Sequence, residues 1–334
     1  MSTITLSQGS GGTQTNRLIN DLFVKYFSNS ILNEMNDAAH LDINSEKIAF
    51  TTDSFVVNPI FFAGGNIGKL AVCGTVNDLA VSGAKPLYLT SAFIIEEGFP
   101  LANLEIIVKT MAEESKKSGI KIVAGDTKVV EKGNVDGIYI NTSGIGVIYK
   151  NININCANAQ PGDAVIVNGT IGDHGMTILC ARNNLGFEGN LESDCASLNT
   201  LVDSMLNAGD RIHVIRDATR GGVAAVLNEI SEFSKVTIAL EENSLPIKEE
   251  VKGAAEMLGL DPLYIANEGK LCAFVPGDQA KQVLSAMRKH PLGENAAVIG
   301  KVTEEPGNKV YMNTVVGGKR LVDMPSGILL PRIC

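Results

Sequence analysis

The chain has 334 residues, 45% hydrophobic and 19% charged, with a formal net charge of −9. That length suits two domains with a sizeable core, and the balance excludes a disordered chain. No Lys/Arg block interrupts the acidic background, which speaks against a nucleic-acid footprint.

The opening MSTITLSQGSGG has neither a basic segment nor an apolar one, so it does not read as a signal peptide. No run approaches the ~18–20 apolar residues of a membrane span. The expected location is cytoplasmic. Cys73, Cys156, Cys180, Cys195 and Cys272 form no CxxC pairs and read as reduced core thiols. Cys334 is different. It is the last residue of the sequence, behind the apolar run of SGILLPRIC.

The first twenty residues read as irregular and Gly-rich, with no core pattern before LINDLFVKYF. KIAFTTDSF (47–55) alternates like a strand ending at an aspartate. Apolar residues at 67, 70, 71, 72, 76, 79, 80 and 81 have helical spacing, stopped by Gly83 and Pro86. PLYLTSAFIIEE reads as a strand, LANLEIIVKTMAEESKKSG as an amphipathic helix with a cationic last turn, IKIVAGDT as a strand ending in Asp126, and GIYINTSGIGVIYK as a long strand. The polar NININCANAQPGD marks a domain boundary near 150.

Beyond it, DAVIV begins a strand, loop and helix reaching about Arg182. SLNTLVDSMLNAG follows as a helix and HVIRD as a strand, and ATRGG feeds a helix carrying Val223, Val226, Leu227 and Ile230 on one stripe. Strands are expected over 235–240, 271–275 and 296–303, and helices over 247–258 and 278–289. Strands and helices mix without strict alternation. The predicted class is therefore α+β or mixed α/β, with domains at 1–150 and 151–322 and a mobile tail over 323–334.

Four aspartates share a setting. Asp53, Asp126 and Asp217 each end an apolar run at a small-residue loop, and Asp78 lies inside an apolar helix. Singly each could be a cap or turn-former. Together they read as hard oxygen ligands suited to Mg²⁺ held with substrate phosphates, because burying unpartnered carboxylates is costly. Three Gly-rich stretches, QGSGGTQTNRL, NGTIGDHG (168–175) and TRGGVAAVL (219–227), could turn backbone amides toward an anion. Lys128 in GDTKVV and Glu268 in IANEGKLCAFV are either solvated loop charges or functional groups.

FTTDSF, NDLAVSGAKP, VAGDTKVV, NGTIGDHG, RDATRGG, NEG and the final PRIC occur in this order along nearly the whole chain. In that set the sequence closely resembles the HypE family of hydrogenase maturation factors, within the aminoimidazole ribonucleotide synthetase-like ATP-binding superfamily. It departs from the family's usual pattern at Gln8, where His is common, and at Ala218, where Pro is common.

The resemblance implies an N-terminal domain that dimerises through a β-barrel-like core, a C-terminal α/β sandwich and a flexible tail. It places ATP in a cleft between the domains. Asp53, Asp78 and Asp126 would be Mg²⁺–phosphate ligands. Asp217, Thr219 and Arg220 would line the cleft, and Gly9, Ser10, Gly11 and Gly12 would close over the phosphates.

It also implies the activity, an ATP-dependent carbamoyl dehydratase. HypF would carbamoylate Cys334, dehydration would turn the thiocarboxamide into a thiocyanate, and a HypC–HypD complex would take the cyanide for the iron of [NiFe]-hydrogenase. Glu268 and Lys128 would then be the base and the stabilising cation, in either assignment. From Asp323 to Cys334 an extended chain reaches up to roughly 35–40 Å, enough for the thiol to enter the cleft. Pro325 and Pro331 would stiffen it, Gly327 would hinge it, and Ile328, Leu329 and Leu330 would fasten it in an apolar groove. Another enzyme of the superfamily, or a scaffold with ILLPRIC as a docking peptide, are the alternatives.

Overall fold

The computed structural model describes residues 3–8, 13–34, 39, 41, 43, 47–183, 191–325 and 332–334. The expectations placed on Gly9, Ser10, Gly11, Gly12, Gly327, Ile328, Leu329, Leu330 and Pro331 lie outside the described residues.

The first part of the chain starts with helical segments α1 (Thr13–Leu18) and α2 (Lys25–Phe27), joined by a π-helical stretch over Ile19–Val24. These turns begin earlier than the sequence pattern suggested. Tertiary pairing supplies the anchor: Ile4 is fully buried, its N–H donates to the Phe99 carbonyl (2.8 Å), and its carbonyl accepts from Gly98 (2.8 Å).

Strand β1 (Ile48–Phe55) is followed by a small hairpin, β2 (Phe61–Phe62) and β3 (Gly65–Asn66), and by helix α3 (Ile67–Val81). Asn66 caps α3, its side chain accepting from Gly68 (2.9 Å) and Lys69 (3.2 Å). Gly83 ends it in the left-handed region at φ +78. Then come β4 (Ala84–Glu96), α4 (Leu101–Ser118), β5 (Lys121–Val130) and β6 (Ile138–Ile148). The sheet order is β1-β6-β4-β5, parallel only between β4 and β5. Among the described residues this sheet is open, so no closed barrel forms within one chain.

The second sheet has seven strands: β7 (Asp163–Val167), β8 (Val214–Asp217), β9 (Thr237–Glu241), β10 (Leu271–Pro276), β11 (Ala297–Thr303), β12 (Val310–Asn313) and β13 (Lys319–Leu321). Their order is β13-β12-β9-β11-β7-β10-β8. Helices α5 (Asp173–Asn183), α6 (Asn199–Ala208), α7 (Gly222–Ser234), α8 (Glu249–Leu258) and α9 (Gly277–Arg288) complete this part. Both sheet faces are covered. Val165 and Val167 join the core with α7, while Ile166 joins the core with α6 and α9. Alternation along one strand thus feeds two cores, which is why these strands read as continuous apolar runs.

Helix α3 is buried nearly all round, against β1, β6, α4, α6 and β8. It stands between the two sheets, so any polar group on it faces an interior boundary. Among the described residues no helix is long and apolar enough to cross a membrane.

Candidate functional site

Asp53, Asp78 and Asp217 converge at this boundary. Asp78 and Asp217 line one cleft of about 630 Å³, with Phe50, Asn155, Arg216 and Phe233 among its walls. Asp78 projects from the middle of α3 and accepts from the Thr51 hydroxyl (2.8 Å). Its carboxyl is pushed up by burial and pulled down by Thr51 and Arg216. Asp53 is not at a strand end, since β1 continues to Phe55. Burial also raises Asp53; the Ser54 N–H (2.8 Å) opposes that, and Asp78 adds to it. Asp217, closing β8, is pushed up to about 7 by burial and then by Asp78. Burial raises all three carboxyls, Asp78 adds to Asp53, and Asp78 and Asp53 add to Asp217, so this donor set is short of positive charge.

Thr219 and Arg220 sit in the turn that leads into α7. Gly222 donates to the Thr219 carbonyl (2.9 Å), and Gly221 and Gly222 adopt φ of +77 and +63. A β-carbon on Gly222 would lie 2.5 Å from the Leu263 carbonyl oxygen, so the turn is tight as well as left-handed. Arg220 is exposed, and its charge acts on both Asp53 and Cys334. The Gly-rich loop at 168–175 is different from expectation. Ile171, Gly172 and Gly175 spend their amides on Pro246, Asn267 and Ala266, and Asp173 occupies the first turn of α5. Internal bonding, rather than an anion, satisfies those groups.

Glu268 is 3% exposed and lies in the loop before β10. Among the described residues its Oε1 has no hydrogen-bond partner. Burial holds its carboxyl well above the usual range, and Asp194, Asp217 and Asp53 reinforce this. The loop is held by Asp194, which accepts from the amides of Glu268 (3.2 Å) and Gly269 (3.1 Å) and from Lys270 Nζ (3.0 Å). Burial raises Asp194, but Lys270 and the loop amide outweigh it and leave this carboxyl below the usual range. A β-carbon on Gly269 would meet the Asp194 carbonyl oxygen at 2.0 Å, so only glycine permits the approach.

The end of the chain enters this site. Residues 332–334 run antiparallel to the segment after β1: Val56 donates to the Cys334 carbonyl (3.0 Å) and Asn58 to that of Arg332 (3.2 Å). Arg332 pairs with Asp136, reaches the Val56 carbonyl (2.9 Å) and lies over the Tyr139 ring. Ile333 is 3% exposed in the same core that Cys334 packs against. Burial raises the Cys334 thiol, Glu268 raises it further and Arg220 pulls it down. A segment expected to be loose over 323–334 therefore ends in a seated thiol among Glu268, Asp53, Asp217 and Arg220.

Asp126 and Lys128 are not brought to this place within one chain. β5 runs on to Val130, so both are mid-strand, where they pair with each other (2.8 Å) and are each 62% exposed. Hydrogen bonding from Lys128 keeps the Asp126 carboxyl below its usual range. In register Asp126 follows Ala92, Asn141 and Ser54, whereas Asp53 shares its row with Thr142, Ser91 and Gly125. The two carboxylates thus point to opposite faces, three strand spacings or about 14 Å apart. Accordingly, among the described residues no group of three His, Cys, Asp or Glu side chains could hold a metal ion by itself.

Sequence reasoning missed Asp194, His174 and Lys270. Asp194 sits in the polar LESDCAS, where nothing marks one aspartate as buried, and its side chain is only 2% exposed. Cys73 and Cys195 were expected in the core and are buried there; all six cysteines are free.

Two family models match: the AIR synthase related protein N-terminal domain over residues 35–148 and the corresponding C-terminal domain over 160–313. The chain is 48% identical to the carbamoyl dehydratase HypE of Escherichia coli (strain K12), covering 100% of both. It is similar to a crystal structure of the hydrogenase maturation protein HypE in complex with ATP, with a TM-score of 0.96 and 47% identity over 99% of this chain and 100% of that one. A HypE–HypF complex matches with a TM-score of 0.82 and 53% identity, over 92% of this chain and 99% of that chain. A docked terminal cysteine, a carboxylate-lined cleft and full-length identity of this order have one reading: the chain belongs to the HypE family of carbamoyl dehydratases, built from the two AIR synthase related domains.

Proposed function

We propose that this chain uses ATP to dehydrate a thiocarboxamide carried on its own Cys334, giving the thiocyanate that supplies a cyanide ligand. The observation that carries this reading is the seated Cys334 thiol beside Glu268, whose buried Oε1 lacks a partner among the described residues. An amide N–H of the carried group is the donor that such an oxygen requires. A thiol held protonated by burial is a carrier sulfur, not an activated nucleophile.

The balance of the step is simple. The amide oxygen takes a phosphoryl group from ATP and leaves as phosphate, and the nitrogen loses two protons as the C≡N bond forms. Glu268 is assigned the proton removal, because its raised carboxyl is a stronger base once ionised and lies inside the pocket. Arg220 supplies positive charge near the sulfur and Asp53. The carboxylates Asp53 and Asp78 suit one Mg²⁺, which usually takes one or two carboxylates alongside substrate phosphates. When bound, that ion would neutralise charge on the phosphates. The cleft lined by Asp78 and Asp217 has room for a nucleotide, and Thr219 follows Asp217 by two residues in the turn into α7.

Asp126 and Lys128 fit this scheme only from a second copy. β1 and β5 are both unpaired edges, and Ile48, Phe50 and Ile94 are exposed by 53%, 67% and 43%. Two such sheets joined edge to edge would cover these side chains and bring the β5 edge of one copy to the β1 edge of the other. HypF as the loading partner is supported by the related HypE–HypF complex; a HypC–HypD acceptor in the cytoplasm rests on the sequence resemblance.

Intact mass spectrometry after addition of HypF, carbamoyl phosphate and ATP tests the function. A carbamoyl gain followed by loss of water, both mapped to Cys334, is expected. Carbamoylation without ATP-dependent water loss would leave a docking scaffold.

A further inference from the structure

Cys334 is held on both sides of its α-carbon, and the peptide group before it is gripped by a buried histidine. His174 is fully buried, and its Nε2 is 2.7 Å from the carbonyl oxygen of Ile333. A carbonyl only accepts, so Nε2 carries the hydrogen and Nδ1 is the acceptor. The Ser193 hydroxyl donates to Nδ1 (2.8 Å), and Ser193 Oγ accepts in turn from the Cys195 amide (3.1 Å). The Ser193 amide donates to Ala63 (2.9 Å), and the Phe62 ring meets the imidazole edge-on at 5.5 Å. Every rotation of the imidazole is therefore opposed. Burial lowers the basicity of the ring, which keeps it neutral and in this tautomer.

We propose that His174 is the positioning residue that seats the carrier cysteine, by holding the Ile333 carbonyl while Val56 holds that of Cys334. With the Ile333 peptide and the Cys334 main-chain oxygen both held, the side-chain torsions of Cys334 are left to aim the carried group at Glu268. That is the kind of orientation that removes rotational freedom before the chemistry. The grip also has a cost to offset. Arg332 is in the left-handed region at φ 51, which a non-glycine residue adopts only against steric resistance. Without His174 the buried Ile333 carbonyl would lose its donor, and burial of an unpaired carbonyl favours withdrawal of the segment. This inference rests on the function proposed above, since it gives the seated sulfur its purpose.

The test compares His174→Phe with His174→Gln, whose Nε2 can still donate to Ile333. The first readout is the rate at which N-ethylmaleimide alkylates Cys334, mapped by mass spectrometry. The second is single-turnover water loss from carbamoylated protein, alongside ATP affinity. In the Phe variant, alkylation is expected about tenfold faster and water loss about tenfold slower, with ATP affinity unchanged. The Gln variant should recover most of both. Wild-type alkylation in folded His174→Phe, or no recovery in His174→Gln, overturns the proposal. Should the Phe variant fail to fold, Ser193→Ala frees the tautomer, and wild-type alkylation there overturns it equally. Failure of the wild-type protein to lose water would sink the dehydratase reading alone, because the alkylation contrast does not depend on it.

Discussion

Glu268 is a buried carboxyl that burial, reinforced by Asp194, Asp217 and Asp53, holds well above its usual range. Its pKa in the folded protein lies above its ordinary value of 4.5. Between that value and the raised one, the folded chain binds more protons than the unfolded chain, so stability falls as pH rises through this window. Glu268→Gln has no proton to lose. It is expected to melt at a higher temperature than the wild type at neutral pH, and to match it more closely near pH 4. Water loss should behave oppositely. With Glu268 as the proposed base, the rate of water loss should rise with pH in the wild type and drop on the order of 10²-fold or more in the Gln variant. Unchanged water loss in the Gln variant, measured with ATP binding intact, would remove Glu268 from the reaction. At this scale NEG in the sequence singled out Glu268, which the structure buries, but Asp194, the residue that holds its loop, was invisible. Only burial distinguishes it from the other acids of a polar segment.

Among elements, the turn into α7 has the least tolerance. A side chain at Gly222 meets both a left-handed backbone and the carbonyl oxygens of Leu263 and Ile265, at 2.5 and 2.6 Å. Gly222→Ala should destabilise the fold by more than about 1 kcal/mol, seen as a lower urea midpoint with an unchanged slope. An unchanged midpoint would mean that the loop at 263–265 yields freely. Most elements were legible because their periods are strong, as with α3, α4 and β6. The aspartates misled for a physical reason. Asp53 and Asp126 were read as strand ends because a charge breaks an apolar run, yet β1 and β5 continue past them. A strand with one exposed face accepts a charge without ending. Short strands such as β12 and β13 carry too few residues to show a period, and their partners supply the pairing.

In the whole molecule, the exposed face and edges of the first sheet point to a second copy. Ile94→Asp places a charge on the central strand of that face. Multi-angle light scattering should find the wild type as a dimer and the variant largely as a monomer. Water loss should fall as the dimer is lost, because in the proposed scheme Asp126 and Lys128 reach the cleft only from a second copy. A dimer that withstands the charge would place the interface elsewhere.

The sequence by itself determined the mixed α/β class and the two matched domains, and it singled out Asp53, Asp78, Asp217 and Cys334 as candidate site residues. Local period, residue type and ordered motifs carry that information. Tertiary structure alone decided which charges meet. It put Asp126 and Lys128 on the far face of a strand edge, buried Asp194 beneath the Glu268 loop, and seated Cys334 under His174. Those outcomes follow from strand register, helix placement and burial, which depend on residues far apart in the chain.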